Sequence, residues 1–172
     1  IAGTGFLLIE TPGYDTEQML YLPELRRSRR IASNQKHHRF VNSDFTYEDM
    51  ERHPVDDYNY RLKPDTTVSG RPCYSLETRP KPGVISQYSL IKTLVDKASF
   101  VPVYADYFDK DGDHIKIYEV AKLELKQKIW TEMMSVMKDL TRNHTTYIKI
   151  KTIEYNTDLG NHEISRSALE NY

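Results

Sequence analysis

Apolar and polar residues alternate along Tyr147-Ile148-Lys149-Ile150-Lys151-Thr152-Ile153. In an extended chain, Ile148 and Ile150 then point one way and Lys149 and Lys151 the other. This predicts a strand. Turn-forming residues punctuate the rest at short intervals. Thr11-Pro12-Gly13 follows the run 4–10, and Arg79-Pro80-Lys81-Pro82-Gly83 follows 73–78. Asp111-Gly112 separates 101–108 from 114–120, Arg142-Asn143-His144 precedes 145–155, and Asp158-Leu159-Gly160 follows it. Such spacing predicts many strands joined by hairpins, with turns at Pro12-Gly13, Asp111-Gly112 and Asn143-His144. Two short helices are expected. One begins near Asp44, where Thr46 and Asp49 make a capping box ahead of Met50. It ends by His53, because Pro54 disfavours helix at the residue before it. The other runs from Ser165, as N-cap, to Asn171. One segment reads two ways. Trp130, Met133, Met134, Met137 and Leu140 have the spacing of an amphipathic helix. Read with period two, Trp130, Met134 and Val136 share a face with Glu132. Local propensity favours the helix.

Length and composition narrow the class. The 172 residues suit one domain with a real core. Thirteen tyrosines, with recurrent Val, Ile and Thr, lean toward sheet. A mean hydropathy of −0.67 fits a sheet with one wetted face. The single cysteine, Cys73, excludes an internal disulfide and a four-cysteine zinc site. A net charge of −1 argues against a protein that neutralises many phosphates. The longest apolar run, Phe6 to Ile9, is far short of a membrane span. No signal-peptide pattern opens the chain, and Ile1 starts in an apparent strand, so a fragment or processed product is expected.

The chemistry-bearing residues make no recognisable catalytic or metal motif. Asp109, Asp111 and Asp113 alternate, yet neither register of a calcium loop works: Gly112 as position 6 puts Tyr107 at position 1, and Asp109 as position 1 puts His114 where Gly is needed. A solvated hairpin turn is the better reading. His37, His38, His53, His114, His144 and His162 fall in no metal-binding pattern and read as surface residues; His37 and His38 point to opposite sides if extended. There is no nucleophile elbow, dinucleotide fingerprint or P-loop, and Cys73 reads as a small buried hydrophobe. Asp44, Glu48, Asp49 and Glu51 read as acids favoured at a helix N-terminus. Arg26-Arg27-Ser28-Arg29-Arg30 has the charge to grip phosphate, but a strand splits it between two faces, without the interleaved aromatics a nucleic-acid platform needs. We expect a solvated strand, with one face paired to acids of the 44–57 segment; lipid head-group contact is a further option.

Several of these runs, in order, resemble a known series. Thr4-Gly5-Phe6-Leu7, Leu20-Tyr21-Leu22-Pro23, Arg29-Arg30-Ile31 and Ser43-Asp44-Phe45-Thr46-Tyr47-Glu48-Asp49 are similar to the outer-membrane lipoprotein-sorting family. Val95-Asp96 with Pro102, Tyr107-Phe108-Asp109-Lys110-Asp111-Gly112 and the run 145–155 extend the match across the chain. This is the branch similar to the LolA and LolB carriers and often encoded beside RND-type exporters. The resemblance implies a mainly β fold: a curved antiparallel sheet, or incomplete β-barrel, with short helices on its concave side. It implies a single LolA-like domain over 1–172, truncated at its N-terminus, because family members begin with a signal sequence, a helix and further strands. It departs from the family at Asn34 to His38, where small residues are usual. It also implies a strand for Trp130 to Leu140, against local propensity.

The function implied is a periplasmic or outer-membrane carrier of a lipid or lipoprotein acyl chain. It would be non-enzymatic, without cofactor or metal, working with an RND-type exporter and not with nucleic acid. A half-barrel leaves an inner face its own side chains do not fill, so an apolar ligand can complete it. On this reading the cavity lining is Phe6, Leu8, Leu20, Leu22, Phe45, Tyr47, Trp130 and Met134. Met133, Met134 and Met137 beside Trp130 suit variable chains, or are ordinary core. Two alternatives remain open: an envelope adaptor that carries nothing, and a nucleic-acid-binding module using Arg26 to Arg30.

Overall fold

The structure, a computed structural model, describes residues 2–11, 16–160 and 162–171. It is mainly β, with two antiparallel sheets. Strands β1 (Gly5–Ile9), β2 (Glu17–Leu22) and β3 (Arg27–Ile31) form the smaller, in the order β1-β2-β3. The chain then crosses in a segment of turns, with 3-10 helices at Ser33–Gln35, Phe40–Asn42 and Val55–Asp57. Seven strands follow as a meander: β4 (Tyr58–Val68), β5 (Arg71–Pro80), β6 (Leu90–Asp96), β7 (Pro102–Phe108), β8 (His114–Lys126), β9 (Ile129–Asp139) and β10 (His144–Lys149). Their order is β10-β9-β8-β7-β6-β5-β4, so β4 and β10 are edges and the sheet does not close into a barrel. A short helix, α1 (Arg166–Glu170), packs on the smaller sheet.

The turns follow local chemistry. Between β7 and β8, Gly112 takes φ +88°, a conformation open to glycine at no steric cost. Asp109 Oδ1 accepts the N–H groups of Asp111 and Asp113 at 3.0 and 2.9 Å, so this carboxylate organises the turn. The β9–β10 turn spans 140–143, with Asn143 at φ +51° and His144 already in β10. The expected turn at Pro12-Gly13 lies outside the described residues. Helix α1 is capped as expected, with Ser165 Oγ accepting the Ala168 N–H at 3.1 Å.

The region read as a helix from Asp44 to His53 is a series of turns. Its capping box forms: Thr46 N–H donates to Asp49 Oδ2 at 2.7 Å, and Asp49 N–H donates to Thr46 Oγ1 at 3.3 Å. The backbone groups a helix would use are engaged elsewhere. Tyr47 N–H donates to the His38 carbonyl at 3.1 Å, Glu48 N–H to Lys36 at 2.8 Å, and the Phe45 carbonyl accepts from Phe40 at 2.8 Å. Pairing with 36–40 replaces the helical ladder. The same bend brings the His37 and His38 rings edge to face at 4.4 Å rather than apart.

Trp130 to Leu140 lies in β9 apart from its last residue, which enters the turn, as the family resemblance implied and local propensity did not. The strand is paired on both sides, by β8 and β10, and this ladder outweighs a weak helix preference. Its buried positions are mostly odd-numbered: Thr131, Met133, Met137 and Asp139, with Val136 added. Two of these are polar, which hides the alternation in the sequence.

Two core clusters organise the molecule. In one, Leu20, Ile31 and Tyr47 are buried with Phe6, Leu22, Phe40 and Val41 packed around them. In the other, Tyr88, Ile91 and Ala105 sit on the large sheet beside Tyr107, Ile115 and Tyr118. Segment 36–54 lies between them as a plug, held by its acids. Asp49, 3% exposed at its side chain, pairs with Lys116 Nζ at 3.0 Å and accepts the Tyr88 hydroxyl at 2.7 Å. Asp44, fully buried at its side chain, meets His144 Nδ1 at 2.7 Å, Arg142 at 3.3 Å and Thr146 Oγ1 at 2.7 Å. Glu48 accepts from Ser86 Oγ and from the Gln87 N–H, and Glu51 pairs with Lys36 at 2.6 Å. Asp44, Glu48 and Asp49 therefore anchor the plug to the large sheet and its connections, and Glu51 ties the plug to itself; none is a helix N-terminal residue, since no helix forms there to supply a dipole.

Candidate apolar ligand site

The structure separates the eight residues expected to line a cavity. Phe6 and Leu20 face each other across β1 and β2, and Leu22 lies two residues on, so all three share one face. That face receives Tyr47 and Phe40 from the plug. The ring centroids of Phe6 and Phe40 are 5.0 Å apart, those of Phe40 and Tyr47 5.7 Å, and those of Phe6 and Tyr47 6.1 Å. Two of these pairs meet edge to face and the third is tilted, an arrangement that packs rings against one another. Leu8 is half-buried opposite Gln18 in the same sheet. Phe45 belongs to the other side of the plug, 6.4 Å from the Tyr118 ring. Met134 is half-buried on β9, opposite Lys149 and Lys122. Trp130 stands apart from all of them.

Trp130 lines a cavity of about 420 Å³. Its walls come from four places: Phe100, Val101 and Pro102 at the start of β7; Trp130, Thr131, Glu132 and Ser135 on β9; Ile148 on β10; and Ile150, Ile153 and Tyr155 beyond it. The strand pattern of 147–153 explains the last wall. Ile148 lies opposite Ser135, and the pairing runs on as Ile150 N–H donates to the Met133 carbonyl at 3.0 Å. The chain then continues along β9 toward its start. Tyr155 OH and Thr131 Oγ1 are 2.7 Å apart, and Tyr155 N–H donates to Gln127 Oε1 at 2.7 Å. Glu132 joins the cavity to the plug: its Oε2 accepts the Tyr118 hydroxyl, and Tyr118 carries Phe45.

The electrostatics follow burial. Burial raises the Glu132 carboxyl above its ordinary pKa, and the Tyr118 bond only partly opposes this. Burial, then the hydrogen bond to Glu132, holds the Tyr118 phenol well up. The mouth exposes large apolar groups. Trp130 is 40% exposed, Phe100 70%, and Leu125, directly opposite Trp130 on β8, 56%. A second cavity, about 310 Å³, is lined by Lys36, Glu48, Glu51, Arg52 and Asp57 among others, and suits no apolar ligand.

The remaining candidates sort plainly. Cys73 is fully buried in β5, where burial raises its thiol pKa. Among the described residues, no three His, Cys, Asp or Glu side chains are placed to hold a metal. Arg27 and Arg29 of β3 are exposed, opposite Leu22 and Leu20, and Arg30 pairs with Glu17 at 3.7 Å. Among the described residues the expected pairing with acids of 44–57 is not made: Asp44, Glu48, Asp49 and Glu51 find their partners in Arg142, His144, Ser86, Gln87, Lys116 and Lys36. Sequence reasoning read Ile148 and Ile150 as strand residues but missed Phe100, Glu132 and Tyr155 as cavity residues. The alternation carries no information about which distant segment a strand will face.

Comparison with known proteins agrees with this architecture. Residues 1–171 match the model of a family described as "-like: Uncharacterized protein". No curated protein matches the chain. Its structure is similar to that of a DUF1329 family protein from Desulfovibrio piger, with a TM-score of 0.90 and 30% identity, covering 97% of this chain and 71% of that one. It is also similar to a putative outer membrane lipoprotein-sorting protein domain from Vibrio parahaemolyticus, with a TM-score of 0.89 and 26% identity over 98% and 72% of the two chains. A LolA superfamily protein from Nitrosomonas europaea shares the fold, with a TM-score of 0.60 and 14% identity over 96% and 77%.

Proposed function

We propose that this chain, which belongs to the DUF1329 family, is a non-enzymatic carrier that binds a lipid or lipoprotein acyl chain in the bacterial cell envelope. The observation that carries the reading is the cavity at Trp130. Its walls are mostly apolar, and its 420 Å³ lies within the roughly 300–1,000 Å³ typical of ligand pockets. The exposed ring of Phe100 and the half-exposed Trp130 at the mouth offer an apolar path for a chain entering from a membrane or a partner. The lipoprotein-sorting description of the Vibrio parahaemolyticus neighbour supports a periplasmic or outer-membrane setting. An RND-type exporter is the partner we propose for loading, on the resemblance that the sequence carries.

Trp130 is the only tryptophan, so its emission reports on the cavity directly. The test is a titration with monoacylglycerols of increasing chain length. Affinity should rise by about 0.8 kcal/mol per methylene until the cavity is full, with a blue shift as water leaves the indole. Ile150→Asp should abolish both, because a carboxylate in that wall is costly to desolvate. If affinity does not depend on chain length and emission does not move, the carrier reading fails and the adaptor reading takes its place.

A further inference from the structure

Glu132 is the one charged residue among those lining the cavity at Trp130. Among the described residues, the most deeply buried acids have partners for their charge: Asp96, for one, accepts the Ser99 N–H and hydroxyl at 2.9 and 2.6 Å. Asp49 has Lys116, Asp44 has Arg142 and His144, and Asp139 has Arg142. Glu48 uses both carboxylate oxygens on donors from Ser86 and Gln87. Glu132 is half-buried and has one bond, from the Tyr118 hydroxyl to Oε2; among the described residues Oε1 has no partner but is open to solvent, and no Lys, Arg or His stands within ion-pair distance. An acid left without a counter-charge in an apolar cavity is costly to keep unless it has a use.

Three aromatic rings line the same cavity: Phe100, Trp130 and Tyr155. Phe100 is held at φ +58°, a conformation rarely adopted by bulky residues; its N–H donates to the Asp96 carbonyl at 2.8 Å, and its largely exposed ring stacks 6.4 Å from that of Tyr74. Aromatic faces carry negative quadrupole charge and attract organic cations, tryptophan most strongly. One carboxylate among three rings, with isoleucines beside them, is therefore complementary to a particular ligand shape.

We propose that the cavity takes an amphiphile with a cationic ammonium head, its charge met by Glu132 and the rings of Phe100, Trp130 and Tyr155, and its tail seated on Ile148, Ile150 and Ile153. This names the head group for the carrier reading and rests on it. A cationic head supplies the counter-charge that the fold withholds from Glu132, whereas an anionic head would meet a like charge there.

The experiment compares three probes of one chain length below their micelle concentrations: decyltrimethylammonium, decanol and decyl sulfate. Each is titrated at neutral pH, following Trp130 emission and heat of binding. The ammonium should bind at least about tenfold more tightly than the alcohol, and the sulfate more weakly than either. In Glu132→Gln, which keeps the shape and an acceptor for Tyr118, the ammonium advantage should fall to the few-fold that the rings alone supply while decanol affinity is retained. That variant also separates this site from general attraction to a chain of net charge −1. If decanol or decyl sulfate binds wild type as tightly as the ammonium, or if the full advantage survives Glu132→Gln, the head-group inference is wrong and the carrier reading stands. If none of the three binds, both fall.

Discussion

Lys116 offers the sharpest test of how the plug is held. Its side chain is 7% exposed, and its ammonium donates to Asp49 Oδ2 and to the Tyr88 hydroxyl, both at 3.0 Å. The hydroxyl in turn donates to Asp49 Oδ1 at 2.7 Å, closing a triangle between the plug, β8 and the connection before β6. Burial, then the charge of Asp49, holds the Tyr88 phenol well above its ordinary pKa, so it stays a donor. Lys116→Met keeps most of the buried stem and removes the charge. Asp49 retains its bonds from Tyr88 and from the Thr46 N–H but is left as an unpaired buried anion. Breaking one side of a buried pair costs about 3–5 kcal/mol. For a chain of this size each kcal/mol lowers Tm by roughly 2–4 °C, so a fall on the order of 6–20 °C is expected. Asp49→Asn added to Lys116→Met should recover much of it, since no buried charge remains and Tyr88 keeps an acceptor. Lys138→Met is the control. Its partner Glu119 is 3.4 Å away and both side chains are well exposed, so it should cost under about 1 kcal/mol. Urea unfolding with calorimetry measures all four proteins. A loss below about 1 kcal/mol for Lys116→Met, or no recovery in the double variant, would refute the reasoning.

Two further outcomes follow from the same structure. Because burial raises the Glu132 pKa, its ionised form is disfavoured in the fold. The resulting cost is absent below the ordinary carboxylate range and grows as pH rises through it toward the folded value. Glu132→Gln should therefore match wild-type Tm near about pH 4 and exceed it at neutral pH; equal Tm at both would contradict a buried, unanswered acid. Since Asp109 spends its carboxylate on the turn at Asp111 and Asp113, EDTA should leave Tm unchanged, and a fall of several degrees would mean that these aspartates hold a metal.

Much of the fold is legible because local signals and tertiary demands agree. Asp-Gly at 111–112 and Ser165 before α1 act through atoms close in sequence, so their chemistry can be read directly. The 44–54 region shows the limit. Its capping box is chemically correct and forms, yet the helix does not, because residues 36–40 compete for the same backbone groups. That competition is invisible to a window that sees one segment at a time. β9 fails differently. Thr131 and Asp139 occupy buried positions because partners satisfy them: Thr131 meets Tyr155 OH, and Asp139 Oδ1 accepts from Thr141 and Arg142. A hydrophobicity pattern scores both as solvent-facing and so favours the wrong period.

The site was harder to read than the fold, for a reason that bears on what it does. Phe6, Leu20, Leu22 and Tyr47 attract attention because they are large, apolar and close to one another in a familiar series. Those properties also let them satisfy one another: with Phe40 they interlock into ordinary core. Residues that complete a core internally need no ligand. The cavity instead forms where completion fails, between the start of β7, the first half of β9 and the chain returning after β10. What marks it is a local mismatch: an acid without a cation, a largely exposed phenylalanine at positive φ, and a half-exposed tryptophan opposite an exposed leucine. Each is unfavourable for a chain folding alone, and all of them border one apolar volume. A ligand that buried the rings and answered the carboxylate would relieve these costs together, and on that ground we propose binding here.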